Sequence, residues 1–282
     1  MSTAQDPAVE HDGYFPPGSA TRTVIGDPAA LIGGISALFL QPLHPRAMAG
    51  VEQHSSFPDD FWPRLERTAG YVTTLAFADR ATADRAVARV RGIHARLGGT
   101  EATTGRTYRV DDPDLLLWVH CCEVESLLTV ARRGGVPLSA GDADRYVAEQ
   151  VTAAELIGVR AADVPASVAG LEEYFQAMRP TLAVTPAARE AYRLIVLPPM
   201  PTWVRFLTPA QPAWGGLAAL AVALLPSWAR RMYSLPGLGL TDAAATAAIK
   251  GFRQAMLRLP QRARRSPIVW GAFERVTADP AA

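Results

Sequence analysis

Two of the five histidines stand apart from the rest. Along residues 79–97, Ala83, Val87, Val90, His94 and Leu97 recur at spacings of four, three, four and three, which puts His94 inside one apolar helical seam. Along residues 113–132, Leu116, Leu117, His120, Val124 and Leu127 do the same for His120. An imidazole turned inward must be satisfied. It is either a neutral side chain bonded to a carbonyl or hydroxyl, or a ligand to something bound. Spacing alone leaves both readings open. His44 precedes Pro45 at a helix start and His54 precedes Ser55 and Ser56 at a helix end, so both read as caps. His11 lies near the N-terminus and reads as solvated.

Helix 60–77 offers polar partners. Arg64 and Thr68 stand four apart and so share a face, with Arg67 displaced around the helix. They lie beside an apolar stripe of Phe61, Leu65, Val72 and Leu75, and packing does not require them. The alternative is a surface arginine and a threonine bonded back to its own helix. Other chemistries fit less well. Gly33 and Gly34 sit inside an apolar helix and make no phosphate loop, and no nucleophile elbow is present. His120 and Glu123 stand at i and i+3, but a helical di-iron site wants paired Glu-x-x-His motifs, and here the order is reversed and a second copy missing. The adjacent Cys121 and Cys122 exclude a disulfide scaffold, and covalent haem attachment lacks its C-x-x-C-H.

These residues need a helical frame to position them. Of 282 residues, 49% are hydrophobic and 20% charged, enough to bury a sizeable core and too apolar for general disorder. A net charge of +1 argues against a nucleic-acid-binding surface. Caps followed by proline at Asp27, Asp112, Thr185 and Thr208, and a capping box from Ser139 to Asp142, mark helix starts. Periodicity then predicts helices over 28–41, 44–54, 60–77, 79–97, 113–132, 140–157, 167–178, 186–197, 209–224, 227–234, 242–259 and 267–276. At most one small hairpin is expected, between Thr103 and Val110 around Gly105. The expectation is an all-α fold: a loose arm over 1–22, packing if at all through Tyr14 and Phe15, then one large helical domain over 23–282. The proline-rich stretch 198–212 reads as an extended connection that buries Trp203, Val204, Phe206 and Leu207. The apolar runs Ala29 to Leu40 and Gly215 to Leu225 fall short of the ~20 residues a membrane span needs, and no signal peptide is legible. A soluble cytoplasmic protein is expected, and the oligomeric state stays open.

Several segments, in order, resemble one family. HPRAMAGVEQHSSF, RLERT, VRGIHARLGG and YRVDDPDLLLWVHCCEVESLL, followed by PLSAGDADRYVAEQ, LLPSWARRMYSLPGL and RLPQRARRSP, look like the domain shared by latex-clearing rubber oxygenases and MpaB-type oxygenases. The resemblance runs from about Leu31 to Ala272. It implies a globin-like helical core, a non-covalent haem b, and dioxygen-dependent cleavage of carbon–carbon double bonds in isoprenoid chains. Carried over by position, it implies His94 as the proximal iron ligand and Arg64 and Thr68 as the distal pair. Arg67 stands where the rubber oxygenases have a lysine able to close the distal face; a guanidinium is a poor iron ligand, so an open distal position is expected. Arg91 and Arg96 could reach the haem propionates, with Arg67 also placed at the cofactor. Glu52 is the nearest candidate for the family's distal acid. The expected partners are a small apolar substrate and dioxygen, since the rubber oxygenases' secretion signal is not seen. The alternative is a haem-free or inactive protein of the same fold that binds an apolar ligand.

Overall fold

The computed structural model describes residues 12–54, 61–235 and 239–260. Its α-helices are α1 (Ala20–Ile25), α2 (Ala30–Leu40), α3 (Pro45–His54), α4 (Phe61–Phe77), α5 (Arg80–His94), α6 (Pro113–Gly134) and α7 (Ala140–Ile157). They continue with α8 (Val168–Met178), α9 (Pro186–Val196), α10 (Thr202–Leu207), α11 (Ala210–Ala223), α12 (Ser227–Met232) and α13 (Gly239–Arg258). A two-stranded antiparallel hairpin, β1 (Gly98–Thr100) and β2 (Thr107–Arg109), is the sheet among the described residues. The fold is all-α with a small hairpin, as the periodicity predicts.

Helix starts are set locally. Asp112 accepts the Asp114 amide with Pro113 behind it, Thr185 accepts the Ala188 amide before Pro186, and Ser139 and Asp142 form a reciprocal capping box. At the far ends, Gly135 and Gly158 take φ of 76° and 118°, so α6 and α7 stop where only glycine turns without strain. The core is then assembled around α2 and α6. Gly33 lets them meet: a Cβ there would lie 3.0 Å from the Cα of Leu127. This close approach explains why a glycine sits inside an apolar helix. Trp118 of α6 is fully buried and donates its indole N–H to the Gln41 carbonyl at 2.9 Å. Cys121 and Cys122 are buried free thiols beside it, pushed up in pKa chiefly by burial, and so are inert packing groups. Ala218 and Ala221 of α11 and Ile249 of α13 cover the other side.

Three departures from expectation have local causes. The described part of the arm, 12–22, is packed: Phe15 is buried, the Tyr14 hydroxyl donates to Asp84, and Arg80 lies 4.8 Å from the Tyr14 ring. Ser19 also caps α1, whose Ala20 and Thr21 amides donate to the Glu149 carboxylate at 3.1 and 2.7 Å. The hairpin starts earlier than expected, with Gly98 opposite Arg109, because α5 stops at His94 and frees Gly98 and Gly99 to extend. Glu101 accepts the Thr103 and Thr104 amides at 2.6 and 2.7 Å and so folds the connecting loop. The proline-rich stretch is not extended throughout; it contains α10, on which Trp203, Phe206 and Leu207 are 64%, 71% and 80% exposed. Their expected burial is not found, because α10 packs mainly on α11 among the described residues and turns its apolar face outward. His11 and the helix expected at 267–276 lie outside the described residues. Among those described, no helix is long and apolar enough to cross a membrane.

Candidate active site

The helices line a half-open cavity of about 1040 Å³, just above the roughly 300–1,000 Å³ typical of ligand pockets. Three helices supply most of its wall. From α4 come Leu65, Val72 and Leu75; from α5, Val90 and Ile93; from α6, Leu116 and Val119. Ile93 and Val119 keep much of their surface accessible although both line the cavity, so that surface belongs to its wall.

Arg64, Thr68, Tyr71 and Leu75 follow one another on α4 at spacings of four, three and four, and all four line the cavity. The Thr68 hydroxyl donates to the Arg64 carbonyl at 3.0 Å. That is the back-bond the sequence allowed as an alternative, and it leaves the oxygen's lone pairs as acceptors toward the cavity. Arg67 lines the cavity as well.

His94 is the last residue of α5 and lines the same cavity. Its side chain makes no hydrogen bond among the described residues, and its Nδ1 is buried without a partner. Burial lowers its pKa first of all; Asp111 works against that and the Arg64 charge adds to it, so the ring is held neutral. Asp111 is set in place by Arg109, which grips it at 2.8 and 2.9 Å while donating to the Ala95 carbonyl at 2.9 Å. The hairpin thereby clamps the end of α5 that carries His94.

The structure does not bring Arg91 to the cavity. Its guanidinium donates to the Leu156 carbonyl at 3.2 Å and lies against Gly158, at the partially negative C-terminus of α7. Arg96 packs over Gly92 and is likewise absent from the wall. The cavity's arginines are Arg46, Arg64, Arg67 and Arg89, and Arg46 pairs with Asp112 at 3.3 Å. Glu52 is exposed and off the wall; the carboxylates on it are Glu66 and Glu123. His44 caps α3 by accepting the Ala47 amide at 3.3 Å, with its pKa lowered to about 4 chiefly by burial. His54 closes the same helix against the Gly98 carbonyl at 3.1 Å while also touching the cavity. His44 behaves as the cap its position suggested, whereas His54 ties the end of α3 to β1 instead of capping its own helix.

His120 and Glu123 project into the cavity from one face of α6. Neither makes a hydrogen bond or ion pair among the described residues. Burial alone lowers the His120 imidazole to about 4 and raises the Glu123 carboxyl to about 7. Tyr71 on α4 and the fully buried Tyr146 on α7 both feel the Glu123 charge after their own burial, and the Tyr146 hydroxyl has no partner. Sequence reasoning singled out His120, set its i, i+3 step to Glu123 aside as a poor metal motif, and missed Tyr71 as a residue of the cavity wall. The 4–3–4 spacing from Arg64 through Tyr71 to Leu75 is the signal that could have found it.

An apolar chamber with two neutral, unbonded imidazoles, His94 and His120, and an arginine–threonine face can hold an apolar disc by an axial bond and present donors to a small bound molecule. A bare metal ion needs more: among the described residues no group of three or more His, Cys, Asp and Glu is placed to hold one. The family model described as "ER-bound oxygenase mpaB/B'/Rubber oxygenase, catalytic domain" matches residues 22–260. Neither a curated protein nor a solved structure matches the chain.

Proposed function

Because the chain belongs to the mpaB/rubber oxygenase catalytic-domain family, we propose that it is a haem-b-dependent oxygenase that uses dioxygen on a small apolar, isoprenoid-like substrate and cleaves a carbon–carbon double bond. The observation that carries this reading is the His94 side chain: neutral, on the wall of a large apolar cavity, its Nδ1 buried without a partner. Buried polar atoms are normally satisfied, so an orphan at this place points to a bound group. Ligation also demands the neutral form that burial enforces. The residues present therefore fit haem b, which would supply the iron at which dioxygen is activated.

In this reading His94 is the iron ligand, and Arg67, with Arg46 and Arg89 on the same wall, offers positive charge to the propionates. Arg64, on the same wall, would serve as a hydrogen-bond donor that stabilises negative charge on bound dioxygen. The free lone pairs of the Thr68 hydroxyl can orient a water beside it. The aliphatic wall excludes bulk water and binds the substrate by apolar burial, at roughly 25 cal/mol per Å² removed from water. Arg64→Ala and Thr68→Ala test the division of labour. Each should keep its bound cofactor yet lose dioxygen consumption with short isoprenoid alkenes by about 10²–10³-fold. Unchanged turnover in both variants refutes the assigned pair.

A further inference from the structure

Among the cavity side chains that the proposed activity leaves unused are Glu123 and His120 of α6 and Tyr71 of α4. None of the three makes a hydrogen bond among the described residues. An apolar cavity built for a bare hydrocarbon has no need of them: all three are only partly buried and open to the cavity, and a hydrocarbon that filled it would desolvate them without offering a partner, at a cost. They are not a propionate cradle either. Burial is the single cause acting on His120 and on Glu123, with no arginine charge on either, whereas the cavity's arginines are Arg46, Arg64, Arg67 and Arg89.

Position gives the three a common role. Tyr71 lies on the Arg64–Thr68 face of α4, three residues beyond Thr68, a rise of roughly 4.5 Å along the helix. His120 and Glu123 stand three apart on one face of α6, and Tyr71 lines the same cavity from α4, where it feels the Glu123 charge. Each of the three can both donate and accept in its neutral form. Such a set matches a neutral group that also donates and accepts, not a fixed charge.

We propose that Glu123, His120 and Tyr71 form a recognition site for a polar head, so that the protein takes an isoprenoid-like chain ending in a hydroxyl or carbonyl in preference to the bare hydrocarbon. This rests on the reading of the cavity as the substrate chamber and names the class of substrate it admits. A hydrocarbon would leave the three groups desolvated and unpaired, which is how a hydrogen-bonding site rejects an analogue that lacks the matching group.

Calorimetric titration of the purified full-length protein, without turnover, tests this with geraniol against the alkene of the same skeleton lacking the hydroxyl. The wild type should bind geraniol about tenfold more tightly, the worth of one to two neutral hydrogen bonds. Glu123→Leu should abolish that ratio while keeping or improving alkene binding, and Glu123→Gln should retain most of it. Tyr71→Phe removes only one hydroxyl and should reduce the ratio if Glu123→Leu fails to fold. Equal affinities for the two ligands in the wild type, a ratio unmoved in the variants, or no binding of either ligand overturns the proposal. Tighter binding of geranylamine than of geraniol also overturns it, since that would mark an ionised carboxylate reading a cation. The outcome is separable from the oxygenase reading. A protein that prefers the alcohol but consumes no dioxygen keeps this site and loses the activity. One that oxidises both ligands with equal KM keeps the activity and loses this site.

Discussion

Replacing Glu123 by glutamine should stabilise the protein in alkali and leave it almost unchanged in mild acid. The Glu123 carboxyl is raised by burial from 4.5 to about 7. Its folded pKa thus lies above its unfolded one. The unfolded chain releases this proton near its ordinary value while the native state holds it, so native stability falls as pH rises from there through about 7. At roughly 1.36 kcal/mol per pKa unit the full loss is at most about 3.4 kcal/mol, and about 2 kcal/mol where cavity water solvates the ion. His120 pulls the other way: its folded pKa of about 4 lies below 6.5, so it adds stability as pH rises through that window. That contribution is common to both proteins and drops out of their difference. Glutamine keeps the shape and cannot ionise. Denaturant unfolding should therefore show Glu123→Gln more stable by about 2 kcal/mol at about pH 8.5 and within about 0.5 kcal/mol of wild type at about pH 5. A difference that is the same at both values refutes the reasoning, because a pH-independent gain comes from packing and not from a buried charge.

Adjacent glycines of α2 should respond with opposite sign: Gly34→Ala meets nothing within 4 Å and should gain up to about 1 kcal/mol of helix propensity. Gly33→Ala drives a Cβ to 2.9 Å from Leu127 Cδ2 and should lose about 1 kcal/mol net, overpacking outweighing propensity, with thermal unfolding as the readout for both. Asp27 accepts the Ala29 amide at 2.9 Å and pairs with Arg253 at 2.8 Å, both side chains being largely buried. Asp27→Ala should cost about 3 kcal/mol by stranding the guanidinium, and a loss under about 1 kcal/mol in denaturant unfolding would contradict that.

Much of this was legible in the sequence because it is decided locally. The Asp112–Pro113 and Thr185–Pro186 starts and the Ser139–Asp142 box lie within three residues of the helices they open, and those helices form where the pattern places them. The inward faces of α4, α5 and α6 follow from period alone, which is how Arg64, Thr68, Arg67 and His94 reach one cavity. What escaped depends on distant partners. Arg91 is claimed by the Leu156 carbonyl, 65 positions on, so its own helix carried no hint that it turns from the cavity. Glu123 looked like half of a poor metal motif. Its importance comes from having no partner, which only the packing of α4 and α7 around it establishes. The apolar residues of α10 read as core from composition, yet Trp203, Phe206 and Leu207 face outward because the short helix packs mainly on α11 among the described residues.

The central claim is that His94 holds a haem iron, and the absorption spectrum of the purified protein, wild type beside His94→Ala, tests it most directly. The account predicts a strong Soret band in the wild type that His94→Ala abolishes and that His120→Ala, acting only at the polar head, leaves in place. A wild type that shows no Soret band even after haem is added, or a band that survives His94→Ala and disappears in His120→Ala, contradicts it.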